Sequence, residues 1–204
     1  MVKVIIFDLG GVLIELSYDD FFNSMSQETG LSITELSNQK ASKISTRFQT
    51  GSISGEQLHA EFCELFNINI SLHKLKEIWA KVLAGQKKDV AEIVSRLQKI
   101  YPMTLLSNTD PWHFEYCRKH FSVVRTFEKA FLSYEQHLLK PDPEFYKQVS
   151  QSLGVHHDEC LFIDDTEVNV KSAKDVGYNV IHFKDASQLK EELINLNINP
   201  FSSN

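Results

Sequence analysis

Two short apolar runs in this chain end in carboxylates. Residues 4–7, Val-Ile-Ile-Phe, lead into Asp8 and then Leu9-Gly10-Gly11, and residues 161–163, Leu-Phe-Ile, lead into the pair Asp164-Asp165. An aspartate at the end of a buried strand, followed by glycines, sits where an α/β enzyme mounts an aspartyl nucleophile. The two runs lie far apart in sequence, yet each would deliver carboxylate to the same sheet edge. Plainer readings exist for each run alone. A strand-end aspartate such as Asp8 makes Asx turns, and Asp164-Asp165-Thr166 has the composition of a loop capping a helix that begins near Glu167.

These carboxylates need strands to carry them. A strand is expected at residues 3–8, and further short β-type runs fall at 103–106, 130–132, 160–163 and 179–183, separated by segments of helical periodicity. Alternation of this kind is the mark of an α/β fold with a parallel sheet. The first two strands are separated by far more chain than one crossover helix needs, so the excess, a helical region from about 18 to 85, should form a unit of its own. Within it Leu58, Phe62, Leu65 and Phe66 keep helical spacing after Ser54, an N-cap candidate with Gln57 three residues on. Leu72, Leu75, Ile78, Trp79 and Val82 mark another amphipathic helix.

Composition narrows the class of protein. At 204 residues, 42% hydrophobic and 24% charged, the chain suits one globular domain with an inserted subdomain and can bury a substantial core. A net charge of -6 gives no electrostatic reason to expect nucleic acid or an anionic membrane as a partner. Cys63, Cys117 and Cys160 are isolated and never form C-x-x-C, which argues against a disulfide framework and a cysteine zinc site and fits a reducing, cytoplasmic setting. The first residues lack the basic region, apolar run and cleavage site of a signal peptide, and no apolar run reaches membrane-spanning length.

Four ordered stretches resemble the motifs of the haloacid dehalogenase (HAD) superfamily of aspartyl phosphohydrolases. They are Asp8-Leu9-Gly10-Gly11-Val12, Leu105-Leu106-Ser107-Asn108, Lys140-Pro141-Asp142-Pro143 and Phe162-Ile163-Asp164-Asp165. The resemblance implies a Rossmann-like core, residues 1–14 and 86–204, with a four-helix type cap at 15–85. It implies that Asp8 attacks phosphorus, and that Mg²⁺ is held by Asp8, the Gly10 carbonyl, Asp165, and Asp164 directly or through water; all-oxygen ligation suits that ion. Ser107 and the amide of Asn108 would hold the phosphoryl group, while Lys140 would neutralise the nucleophile and the developing charge. The substrate implied is a small phosphorylated metabolite, sugar phosphates among them. Taken singly, Ser107-Asn108-Thr109-Asp110 is also good turn chemistry before Pro111, and Asp142-Pro143 is an ordinary helix start.

One position departs from the family. Its phosphatases usually carry a second aspartate two residues after the nucleophile, as general acid; here that residue is Gly10. Three readings follow: a Mg²⁺-dependent phosphatase similar to the bacterial α-D-glucose-1-phosphate phosphatases, a metal-independent dehalogenase-type hydrolase, or a catalytically weak phosphate-binding or regulatory protein. The first is favoured, because the Asp164-Asp165 pair argues for a cation. Asn169, one helical turn beyond Asp165, would brace the metal loop. His113, His120, His137, His156 and His157 are expected on the surface or in packing, and Phe21, Phe22, Phe48, Phe62 and Phe66 chiefly in the cap core, with one of them free to face the pocket. Arg47 and Thr50-Gly51 are candidates for facing the pocket, and the cap's hinges should lie near 14–16 and 84–86.

Overall fold

The computed structural model describes residues 1–198; the final residues of the 86–204 core segment, 199–204, lie outside them. The strands are β1 (Val4–Phe7), β2 (Ile14–Leu16), β3 (Leu83–Gln86), β4 (Met103–Ser107), β5 (Lys129–Leu132), β6 (Cys160–Asp164) and β7 (Asn179–His182). The helices are α1 (Tyr18–Thr29), α2 (Ile33–Leu36), α3 (Gln39–Gln49), α4 (Gly55–Phe66), α5 (Leu72–Trp79), α6 (Lys88–Leu97), α7 (Pro111–His120), α8 (Ser122–Arg125), α9 (Ser133–Gln136), α10 (Pro143–Leu153), α11 (Glu167–Val176) and α12 (Ala186–Asn195).

Five strands form an all-parallel sheet in the order β5-β4-β1-β6-β7. Parallel strands need crossovers, and the crossover helices cover both faces. The period of two along each strand sorts the side chains. Ile5, Phe7, Leu105, Leu161 and Ile163 join one buried cluster with residues of α6, α7 and α12. Val4, Ile6, Leu106 and Phe162 join the other, with Phe145, Tyr146 and Ala173 of α10 and α11. The chain winds away from β1 in both directions, so the order reverses at the centre of the sheet. That switch point opens a crevice beyond the C-terminal ends of β1, β4 and β6.

Helices α1 to α5 bury a third apolar cluster of their own, in which Met25, Phe48, Leu58, Phe62, Leu75 and Trp79 are nearly or wholly inaccessible. Their starts follow from sequence. Ser54 caps α4 and Gln57 reaches back to the Ser54 amide, and Ser71 caps α5. The amphipathic pattern from 72 to 82 is α5 followed by one 3₁₀ turn, Ala80–Val82.

The helical unit is shorter than the sequence suggests. Residues expected to be helical up to 85 instead include the start of β3, which pairs antiparallel with β2: Ile14 faces Gln86, Glu15 faces Gly85 and Leu16 faces Leu83. The segments taken as separate hinges are thus the two strands of one ribbon. A strand whose partner lies some seventy residues away, and whose length is too short for periodicity, carries no local signal.

Candidate active site

The alternation that sorts the core also aims the carboxylates. With Phe7 and Ile163 committed to one face, Asp8 and Asp164 fall on the other, the side from which α10 and its preceding loop approach. The Asp8 amide continues the ladder to the Ile163 carbonyl at 2.9 Å, so the two strand ends are locked side by side. Lys140, in the loop that leads into α10, puts its ammonium between them, 2.8 Å from Asp8 Oδ1 and 2.6 Å from Asp164 Oδ2. All three residues are buried, Asp164 completely.

Each member is held by further bonds. Asp8 Oδ1 also accepts from the Leu9 amide at 2.7 Å. Asp164 Oδ1 accepts from the Thr166 amide at 2.7 Å, and the Asn169 side-chain amide donates to both Asp164 oxygens, at 3.2 and 3.1 Å. Asn169, expected to brace this loop, does so through Asp164. The Asn108 carboxamide clamps the loop of Lys140: its Nδ2 donates to the Lys140 carbonyl and its Oδ1 accepts from the Lys140 amide, both at 2.8 Å. The Asn108 side chain is therefore occupied by the Lys140 loop. Ser107, at the end of β4, is 2% exposed and lines the cavity described below.

Asp165 completes an acidic trio, with oxygens of Asp8, Asp164 and Asp165 within 4.8 Å of one another. Gly11 makes room for it. Gly11 has φ +76, and a β-carbon there would lie 2.5 Å from Cγ of Asp165. Gly10 differs. It is outside the left-handed region, and its nearest neighbour is Leu16, whose Cδ1 would sit 3.0 Å from an added β-carbon. The place of the missing acid is taken by an aliphatic side chain.

Electrostatics agree with this count of charges. Burial pushes the Asp8 carboxyl up to about 7, Lys140 pulls it back, and the Asp164 charge adds to the rise. Burial would depress the Lys140 ammonium, but Asp8 and Asp164 hold it above its ordinary value. Asp165 is raised by burial and by Asp164. One lysine thus faces three carboxylates, a surplus of negative charge made of hard oxygen donors. That is what a divalent cation such as Mg²⁺ would neutralise, and the residues fit one.

Above the sheet edge lies a cavity of about 380 Å³ between the helical unit and the strand ends. Gly10, Ser107, Asn108 and Thr109 form its floor, and Phe21, Phe22, Phe62 and Trp79 contribute aromatic wall. Three of the five phenylalanines expected in the helical core therefore also reach the pocket. Arg47 does not reach it: it pairs with Glu61 at 2.6 Å on the surface. Thr50 and Gly51 are likewise elsewhere, the Thr50 carbonyl bonded to His137 Nδ1 and Gly51 packed on the Tyr134 carbonyl.

Sequence reasoning missed one pair. His113 lines the cavity and is tied down at both nitrogens, Nδ1 2.8 Å from Asp110 Oδ2 and Nε2 2.8 Å from the Trp79 carbonyl. Both contacts are with oxygens, an arrangement that an imidazolium satisfies by donating from both nitrogens. Burial opposes that charge, but the fully buried Asp110 outweighs it and raises the histidine above its ordinary value. Asp110 Oδ2 also accepts from Trp79 Nε1 at 3.1 Å, joining α7 to the end of α5. The available signal was the capping position of Asp110 before Pro111, with His113 one turn on.

Comparison with known proteins follows the same lines. The chain is 25% identical over 201 residues, covering 95% of it and 97% of the relative, to a D-ribitol-5-phosphate phosphatase of Bacteroides thetaiotaomicron. It is 27% identical over 199 residues, 96% of this chain and 78% of the relative, to flavin mononucleotide hydrolase 1 of Arabidopsis thaliana. Among solved structures, a HAD family enzyme of B. thetaiotaomicron in complex with magnesium and inorganic phosphate superposes with a TM-score of 0.82, at 27% identity over 93% of this chain and 99% of that one. L-2-haloacid dehalogenase from Xanthobacter autotrophicus, with chloropropionic acid covalently bound, shares the fold at a TM-score of 0.64 and 19% identity, over 97% of this chain and 84% of that one. Among the described residues no helix is long and apolar enough to cross a membrane. The family model for haloacid dehalogenase-like hydrolases matches residues 2–177, and the chain belongs to that family of enzymes.

Proposed function

We propose that this hydrolase is a Mg²⁺-dependent phosphatase of small phosphorylated metabolites, with Asp8 as the nucleophile. The observation that carries this reading is the Lys140 ammonium held between Asp8 and Asp164, with Asp165 alongside, at one edge of the sheet beside Ser107. Relatives that hydrolyse phosphate esters, and a similar structure holding magnesium and phosphate, point the same way. In this reading residues 1–14 and 86–204 are the catalytic core and 15–85 the substrate-selecting cap.

The residues divide the work. Asp8, Asp164, Asp165 and the Gly10 carbonyl would hold the cation, which would supply positive charge to neutralise the phosphoryl group and let an anion approach a carboxylate. Ser107 Oγ and the Asn108 amide fix the phosphoryl oxygens, and Lys140 offsets charge on Asp8 and on the group being transferred. Asp8 forms a bond to phosphorus as the ester P–O bond breaks, giving an aspartyl-phosphate and an alcohol. Water then hydrolyses the acyl phosphate and frees Asp8. The departing oxygen takes its proton from water or from the substrate itself, since Gly10 and Leu16 supply none.

The dehalogenase alternative leaves the acidic trio without a task, since that chemistry needs no metal, and the regulatory alternative differs only in turnover. Replacing Asp8 with Asn, with metal removed by EDTA as a separate treatment, distinguishes them. Each is expected to abolish hydrolysis of p-nitrophenyl phosphate while the far-UV spectrum stays unchanged. Turnover that survives both sinks the phosphatase reading.

A further inference from the structure

The cavity over the site is lined, among the described residues, by no lysine, arginine, aspartate or glutamate. Its one basic wall group, His113, is already paired with the buried Asp110, and both ring nitrogens are taken up by Asp110 and the Trp79 carbonyl. A second phosphate or a carboxylate on the substrate would lose water there and meet no free cation. The two remaining walls differ sharply. One is aromatic, with Phe21 edge-on to both Phe22 and Trp79 at ring separations of 5.1 and 5.5 Å, and Trp79 edge-on to Phe62. The other is a polar stripe on α3, where Ser42, Ser45 and Gln49 recur at three- and four-residue intervals and so share one face of the helix. At about 380 Å³ the space lies near the lower end of the ~300–1,000 Å³ typical of small-molecule pockets.

From this arrangement, and resting on the phosphatase reading above, we infer that the preferred substrate is a monophosphate ester of an uncharged alcohol with a large apolar, aromatic-sized face and hydrogen-bonding groups along one edge. The apolar face lies against Phe21, Phe22 and Trp79, and the polar edge meets Ser42, Ser45 and Gln49. A polyol chain presents hydroxyls to the aromatic wall, where they forfeit hydrogen bonds to water. An anionic chain lacks a counter-charge altogether.

The test compares esters of primary alcohols, so that the acidity of the leaving oxygen does not set the order. The measurement is kcat/KM for 2-phenylethyl phosphate, D-ribitol 5-phosphate and 6-phosphogluconate with Mg²⁺ present, with p-nitrophenyl phosphate as an independent report on phosphatase chemistry. The expected result is a preference of about tenfold or more for 2-phenylethyl phosphate over both others. Ser45→Lys, which places a cation on the polar stripe, should shift the ratio of 6-phosphogluconate to 2-phenylethyl phosphate about tenfold toward the former. Phe22→Ala should lower the ratio of 2-phenylethyl phosphate to ribitol 5-phosphate. Equal or better turnover of ribitol 5-phosphate or 6-phosphogluconate by the wild type overturns the inference and leaves the phosphatase reading intact, as do ratios that neither variant moves. Failure to hydrolyse any ester, p-nitrophenyl phosphate included, overturns the phosphatase reading itself and the inference with it.

Discussion

Replacing Gly11 with alanine tests the cradle beneath Asp165. Gly11 has φ +76, and placing an L-residue with a β-carbon there costs about 1–2 kcal/mol. The new carbon would also lie 2.5 Å from Cγ of Asp165, so the carboxylate has to swing out of the trio. Two consequences can be read in one melting experiment. Without metal, Tm should fall by about 2–8 °C, at roughly 2–4 °C per kcal/mol for a chain of this length. With metal, a displaced ligand should weaken Mg²⁺ binding by about 10–100-fold, on the scale of lost supporting contacts around metal sites. At a Mg²⁺ concentration of 100 times the wild-type Kd, binding stabilises the wild type by about 2.7 kcal/mol and the variant by only about 0.4–1.4 kcal/mol. The wild type should therefore gain roughly 5–11 °C on adding Mg²⁺ and the variant about 1–6 °C. Gly10→Ala is the control. It has no left-handed backbone and meets only the flexible end of Leu16, so it should keep the full Mg²⁺ shift. A Gly11→Ala protein with the wild-type Mg²⁺ shift would refute the role given to this glycine and to Asp165.

Other outcomes follow from the same geometry. Lys140→Met leaves Asp8 and Asp164 buried without a cation, which should cost about 3–5 kcal/mol of metal-free stability, and Mg²⁺ should restore part of it; an unchanged melt argues against the buried triad. Because Asp8 is held at about 7 when folded, against 3.8 for the free side chain, the folded protein keeps a proton that the unfolded chain has shed between these values. That group's contribution to metal-free stability therefore falls as pH rises through the window and is lowest above 7. A bound cation offsets the loss, so the Mg²⁺-induced rise in Tm should be larger at about pH 8 than at about pH 5; equal shifts contradict the assignment. Lacking an acid at Gly10, the enzyme should hydrolyse aryl phosphates and sugar 1-phosphates faster than sugar 6-phosphates. Gly10→Asp should narrow the gap only where Leu16→Ala clears the space, since general acid catalysis contributes about 10²–10⁴-fold; a narrow gap in the wild type, with chemistry limiting, means that another group donates the proton.

The sequence by itself determined the parts that repeat locally. Short apolar runs announced the five strands of the parallel sheet, and 3.6-residue periodicity with serine caps announced α4 and α5, because hydrogen bonding and burial in those elements act over a few residues. It also supplied the chemistry-bearing residue types, and the four ordered stretches placed Asp8, Ser107, Asn108, Lys140, Asp164 and Asp165 in the family's pattern. What it could not carry was anything that depends on distant parts of the chain meeting. The β2–β3 ribbon joins residues some seventy positions apart, and Asn108 clamps Lys140 across more than thirty. Neither leaves a periodic trace. His113 meets Asp110 through the local cap of α7, but the Trp79 carbonyl at its other nitrogen is brought there only by packing of α7 against α5. The same holds for the pocket. Phe21, Phe22 and Phe62 have the spacing of core residues and partly serve as core, but the tertiary arrangement turns them toward the strand ends and sends Arg47 to the surface. A side chain's chemistry is written in the sequence; its neighbours, its desolvation and hence its charge are fixed only when the chain has folded.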